Sequence, residues 1–397
     1  MIGRSKKIGI FASVGTDMKI EINKERIDYL LALYKMSEND LLSLLNESRK
    51  RSLEMDQING DMIDLSLLKR IDKIFGEGLS FYQDFSLLSQ NASNSIFFRK
   101  SKFGAELNRE SIRIVHRFEN LKQALDAYNK LSRLQIKSDI WNCTINDNPK
   151  EIAIKARAVF YPGNIKDARK FLVDFIGKCA DHGIFVFEYI ETWNKKEKTN
   201  IDGFYLESNM IVLKHHKHYK REIFTLAHEL GHCFLGKEEV ESVDMMSIDQ
   251  RTEYNAVEKW CNDFAYQFIM GEDANMLVHI DKVDSVNDYY FDYITSLSSK
   301  MHISRLALFT RLYLDKKISY ANYNKIRNEL TEAYKIGQEQ EKKKNVEKKY
   351  GISPKPIISP LFLRTMQHAY FKGVVNEDTF CLRLSIKSNK FEKVLWQ

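Results

Sequence analysis

The chain has 397 residues, with 61 basic against 54 acidic side chains for a formal net charge of +7, 44% apolar and 12% aromatic content, and five prolines. That length exceeds what one hydrophobic core serves, so two or three domains are expected, and the composition excludes an extended disordered chain. Five scattered cysteines (Cys143, Cys179, Cys233, Cys261, Cys381) form no CxxC pair, which argues against a disulfide framework and for a reducing cytoplasm. No stretch approaches the roughly 18 apolar residues of a membrane helix, and the apolar run at residues 8–12 is too brief for a signal peptide, so membrane and secreted classes are disfavoured. The mild positive excess would assist contact with DNA or an acidic protein without establishing either.

From residue 24 to about 85, apolar residues recur at helical spacing: Ile27, Leu30, Leu31 and Tyr34, then Leu41, Leu42, Leu44 and Leu45, then Leu67, Leu68, Ile71, Ile74 and Phe75. Ser37 supplies an N-cap for the second group, giving helix, short turn, helix, the outline of a small helix-turn-helix bundle. A helical protein-interaction domain fits that outline equally well, because the second helix carries Ser43 and Asn46 and only later Arg49, Lys50 and Arg51. A long helix follows from residue 109 to about 134, and the sequence Asn146-Asp147-Asn148-Pro149 then marks a boundary. Helices are expected over residues 152–160 and 165–180. The β-branched and aromatic runs at residues 183–190, 203–206 and 210–213 read as three short strands of one antiparallel sheet. Helical spacing returns from Tyr289 to about Leu330; residues 339–349 read as a solvated helix or linker, and Pro354, Pro356 and Pro360 introduce a last helical segment through Phe371.

The chemistry gathers at His228-Glu229-Leu230-Gly231-His232. Residues four apart share a helix face, so His228 and His232 can direct imidazole nitrogens at one ion, while Glu229 can reach a water in the open coordination position. Ile223, Leu226, Ala227, Leu230 and Phe234 form the opposing apolar stripe, and Gly231 is expected to leave the ligand face open to substrate or sheet. A catalytic site of this type needs a third protein ligand. Downstream stand Glu253, Glu258 and Asp263, of which Glu258 has the right separation for a second packed helix, with Asn262 one turn later. Spacing alone leaves Glu258 equally readable as a surface carboxylate. Glu238, Glu239 and Glu241 are rivals that read as a solvated rim, His215, His216 and His218 read as a solvated basic turn, and Cys233 and Cys261 as packed thiols.

The run Arg221-Glu222-Ile223-Phe224-Thr225-Leu226-Ala227-His228-Glu229-Leu230-Gly231-His232, with Glu258-Lys259-Trp260-Cys261-Asn262-Asp263-Phe264-Ala265 downstream, resembles the ImmA/IrrE family of bacterial metallo-endopeptidases. Cys261 stands where the family usually has Ala, a small-for-small change, and Gly271 where a Pro often follows the helix. The resemblance covers about residues 149–271. It implies His228, His232 and Glu258 as zinc ligands and Glu229 as catalytic base; manganese or iron also suit this donor set, though zinc suits it best. Less specifically, the N-terminal helices through Phe98-Arg99-Lys100 and the segment Ile303-Ser304-Arg305-Leu306-Ala307-Leu308 resemble helical regions flanking the catalytic domain in longer members.

The expected fold is α+β: a zincin-like metallopeptidase domain (HExxH helix, second ligand helix, small antiparallel sheet) flanked by all-α, helix-turn-helix-like N- and C-terminal segments. The expected organisation is a helical domain over 1–90, connecting helices over 91–147, the peptidase over 148–275, a helical segment over 276–335, and a charged linker with C-terminal helices over 336–397. The implied activity is a cytoplasmic zinc endopeptidase of narrow specificity, cleaving a helix-turn-helix repressor encoded nearby in a stress, mobile-element or phage-defence response. Its partners would be that protein substrate and, through the N-terminal domain, DNA. The rival reading is a DNA-binding regulator or antitoxin-like partner that uses the same fold for sensing.

Overall fold

The computed structural model describes residues 18–47, 49, 51–86, 95–99, 107–191, 197–207, 209–216, 219–242, 253–281, 290–346 and 354–397. Residues 1–13, Lys50, Lys100, His218 and Tyr289, which entered the sequence reading, lie outside them. The chain divides into two compact units, Met1–Lys102 and Phe103–Gln397. Among the described residues no helix is long and apolar enough to cross a membrane.

In the first unit, β1 (Lys19–Glu21) leads into α1 (Lys24–Leu33) and α2 (Glu38–Asn46), and β2 (Met62–Asp64) into α3 (Leu65–Phe75), α4 (Leu79–Tyr82) and α5 (Ile96–Arg99). The N-cap expected at Ser37 is a full capping box: its hydroxyl accepts from the Asp40 N–H at 3.2 Å and the Asp40 carboxylate accepts from the Ser37 N–H at 2.8 Å. Leu30, Leu41, Leu68, Ile71, Phe75 and Tyr82 fill the core. The helical spacing foretells no strand here, yet β1 pairs antiparallel with β2, Ile20 opposite Ile63. Strands of three residues are too short to leave a period-two signature.

The second unit begins with α6 (Arg109–Ser132), whose Phe118 packs on Phe187 and Phe204 of the sheet at ring distances of 5.6 and 6.0 Å. Then come α7 (Pro149–Phe160), capped by Asn148 with Pro149 in the first turn, and α8 (Ala168–Asp181), capped by Asp167. Strands β3 (Phe185–Tyr189), β4 (Ile201–Leu206) and β5 (Met210–Lys214) precede α9 (Tyr219–Leu235), and β6 (Glu239–Ser242) precedes α10 (Glu253–Met270). The expected three-stranded antiparallel sheet is corrected: there are four strands in the order β3-β5-β4-β6, and β3 pairs parallel with β5. The β4–β5 hairpin inserts β5 next to β3, and β6 closes the free edge of β4 antiparallel. Adjacency between distant strands is set by packing rather than by local pattern.

Helix α10 packs between α9 and α7. Trp260, Phe264 and Phe268 stack in a row along it, Phe264 meets Phe234 of α9 edge-on at 5.6 Å, and Phe268 stacks on Phe175 of α8 at 5.1 Å. The helix stops at Gly271, whose φ of +56° no proline can adopt, and Arg157 packs on it while donating to the carbonyls of Phe268 and Ile269. Beyond it follow α11 (Ala274–Val278), α12 (Phe291–Lys300), α13 (Arg305–Leu314), α14 (Tyr320–Val346), α15 (Pro360–Phe371), α16 (Glu377–Leu384) and α17 (Phe391–Leu395). The charged segment is thus helical through Val346, and Phe362 of α15 returns to Phe187 on β3 at 5.0 Å.

Phe264 is fully buried in the α9–α10 contact, between Phe234 of α9 and Trp260 and Phe268 of its own helix. Phe264→Ala is expected to cost about 3–5 kcal/mol in urea unfolding of the full chain; a loss below about 1 kcal/mol would mean that α9 and α10 are not packed this way.

Candidate metal centre

Helix α9 has its apolar stripe buried as expected: Ile223, Leu226, Ala227, Leu230 and Phe234 are at most 1% exposed. The other side of the helix carries His228 and His232, and their Nε2 atoms stand 3.1 Å apart. Glu258 of α10 reaches both, Oε2 lying 3.3 Å from His228 Nε2 and Oε1 3.3 Å from His232 Nε2. All three residues are buried, and their ligand atoms lie within 4.8 Å of one another.

At this distance the two Nε2 atoms share either a proton, one imidazole donating to the other, or an ion between them. A buried carboxylate opposite both completes a set of two nitrogens and one oxygen donor, which is what a divalent transition ion takes in catalytic sites. The electrostatics agree. Burial works against ionisation of Glu258, but the charge on His232 and the hydrogen bonds of both histidines hold its carboxyl well below the usual range. Burial likewise opposes charge on His228, and the hydrogen bond and charge of Glu258 overcome it and push that imidazole up.

Glu229 occupies the adjoining face. It is 1% exposed, and neither carboxylate oxygen has a hydrogen-bond partner. Burial pushes its pKa up to about 8 against the pull of His228, with Glu258, Glu239 and Asp202 adding to the rise. Strand β4 passes close by at Gly203, where an added Cβ would lie 2.5 Å from Thr225 Cγ2 and 3.2 Å from Glu229 Oε1. Only glycine lets α9 approach the strand this closely.

Several expectations change here. Gly231 does not open the ligand face to substrate or sheet: a Cβ there would meet Cys261 Sγ and Phe264 Cδ1 at 3.2 and 3.3 Å, so its role is to bring α9 against α10 and hence His232 against Glu258. The side chains of Glu253 and Glu241 lie outside those described. Asp263 turns away to pair with Arg311. Glu238 and Glu239 are not a solvated rim: both are buried, and Glu238 accepts the Glu207 N–H at 2.7 Å. Asn262, one turn beyond Glu258, supports the raised His228. Cys233 and Cys261 are packed thiols, Cys233 pushed by burial up to about 12 and Cys261 raised as well.

The histidines before α9 are the largest departure from the sequence reading. Instead of a solvated turn, His216 Nε2 lies 3.1 Å from Asp202, and His215 lies between two buried carboxylates, Glu188 and Glu222, with Nδ1 3.5 Å from each. These three form the second of two metal-compatible clusters among the described residues. One signal was available: Glu222 and Glu229 are seven apart, the spacing that repeats a helix face.

Residues 179–291 match the family model Peptidase_M78, described as the IrrE N-terminal-like domain. This segment belongs to the ImmA/IrrE metallopeptidase family. The match runs from within α8 to the first residue of α12 and contains His228, Glu229, His232 and Glu258. ImmA/IrrE membership implies a metal cofactor, and the buried His228-His232-Glu258 set is chemically able to hold one. No curated protein and no solved structure matches the chain.

Because Gly203 sets the approach of β4 to α9, Gly203→Ala is expected to destabilise the chain by about 1–3 kcal/mol through overpacking. Urea unfolding measures this, and a neutral substitution would place α9 farther from β4.

Proposed function

We propose that this chain is a zinc-dependent endopeptidase in which His228, His232 and Glu258 hold the ion and Glu229 is the general base. The observation that carries the reading is the buried convergence of two imidazoles and one carboxylate, with a second, unpartnered carboxylate beside them. A zinc ion bound there would lower the pKa of a water and polarise the scissile carbonyl. Glu229 would take the proton of that water and hand it to the leaving amine, which asks for a carboxylate whose pKa lies near neutrality rather than near 4. Glu258 does the opposite work, staying ionised.

What favours turnover over a purely sensing or antitoxin-like role is Glu229 itself. A buried carboxylate without partners costs stability and contributes nothing to ion binding, so a fold used only for recognition gains nothing by it. By its family resemblance the substrate is a helix-turn-helix repressor or similar regulatory protein encoded nearby, in a stress, mobile-element or phage-defence response. The first unit would serve as a docking or DNA-binding module, with its capped α1–α2 pair as the helix-turn-helix element.

Cleavage of the helix-turn-helix protein encoded beside the gene tests this. Wild type is expected to cleave it; Glu229→Gln should keep one ion in the site and lose at least about 10²-fold in rate. Glu258→Gln should lose both ion and cleavage. An unchanged rate in Glu229→Gln would remove its assignment as base. A chain starting at Phe103, which retains α6 on the sheet, should cleave more slowly if the first unit docks the substrate; equal rates would end that part of the proposal.

A further inference from the structure

The cluster of Glu188, His215 and Glu222 is assembled by three separate elements. Glu188 comes from β3. His215 follows β5 directly, and its backbone N–H donates to the Tyr189 carbonyl at 2.9 Å, extending the parallel β3–β5 ladder by one residue and setting the imidazole beside Glu188. Glu222 comes from the first turn of α9, where its Oε1 accepts the His216 N–H at 2.7 Å.

The side chains of Glu188 and Glu222 are 0% exposed and that of His215 is 13% exposed. Glu188 Oε1, Glu222 Oε2 and His215 Nδ1 are all buried and face only one another. Among the described residues no lysine or arginine pairs with either carboxylate. Glu188 Oε2 is satisfied by the Ile357 N–H, from the segment leading into α15. Two buried carboxylates and one imidazole nitrogen, all within 4.8 Å, leave a concentrated acidic site that has, among the described residues, no lysine or arginine beside it and only the His215 ring, 3.5 Å from each carboxylate, facing both.

We propose that Glu188, His215 and Glu222 form a second divalent-cation site, distinct from the His228-His232-Glu258 centre and structural in role. One imidazole with two carboxylates is a donor set for zinc, manganese or ferrous iron. Six residues separate Glu222 from His228, about 9 Å along α9, so the two ions would sit at separate stations of one helix. The second ion ties the start of α9 to the ends of β3 and β5. Through Glu188 it also fixes the Ile357 segment, so that loading the site orders the C-terminal helices against the sheet. Without the ion the same place is filled by a proton: burial together with Glu188 pushes Glu222 up to about 10, which makes it a neutral acid donating to Glu188.

The test uses the full chain, stripped by chelator and reloaded with Zn(II) or, separately, Mn(II), with metal per chain measured after gel filtration. Wild type is expected to hold two ions, Glu222→Gln one, Glu258→Gln one, and the double variant none. Glutamine reproduces the neutral form of Glu222 and should fold; if it does not, His215→Gln at the partly exposed member gives the same reading. One ion of either metal in both wild type and Glu222→Gln overturns the proposal and leaves a proton-sharing carboxyl pair. If Glu258→Gln holds as many ions as wild type while Glu222→Gln loses one, the second site stands and the zinc-site assignment fails. In thermal unfolding, loading the second site should raise the Tm of Glu258→Gln but not that of the double variant.

Discussion

Two imidazole nitrogens and a carboxylate meet 3.1–3.3 Å apart at a buried site, and much of the second unit is arranged so that this can happen. Such a cluster is unfavourable on its own. Helix α9 must present His228 and His232 on one face, α10 must approach closely enough for Glu258 to span them, and both must be held by an apolar interior that tolerates no slack. Gly231 against Cys261 and the row of Trp260, Phe264 and Phe268 supply the approach, and Gly203 supplies the matching closeness on the sheet side.

The same burial divides labour between two carboxylates of similar intrinsic acidity. Glu258 faces both imidazoles and is held ionised; Glu229, lying closer to β4 and within reach of other carboxylates, is pushed up to about 8. The proposed separate roles, Glu258 as ligand and Glu229 as base, rest on environment rather than residue type. At the start of α9, Glu222 stands with another carboxylate and another histidine, so the helix that carries His228 and His232 opens on a second buried polar cluster.

The sequence made some of this legible and hid the rest for physical reasons. His228, Glu229, His232 and the apolar stripe of α9 were readable because they are local: a four-residue spacing and a 3.6-residue period need no knowledge of neighbours. The Ser37 cap was readable for the same reason. Glu258 needed more, since spacing left it no better than a surface carboxylate until the resemblance singled it out. The parallel pairing of β3 with β5 was hidden because strand adjacency is decided by contacts far apart in sequence, and β1 and β2 were too short to show alternation. His215 looked like part of a basic turn because its neighbours in sequence are lysines and histidines; its neighbours in space are Glu188 and Glu222. Gly231 reads from sequence as opening the ligand face to substrate or sheet, whereas the group that approaches it is α10.

The account stands or falls on what surrounds the ion next to Glu229. Zinc K-edge absorption fine structure of the Glu222→Gln chain, loaded with one equivalent of zinc, reads that environment directly. The account predicts two imidazole nitrogens at about 2.0–2.1 Å with the remaining ligands oxygen and no sulfur, and loss of that bound zinc when Glu258→Gln is added. A shell containing cysteine sulfur, or one without imidazole, would contradict it.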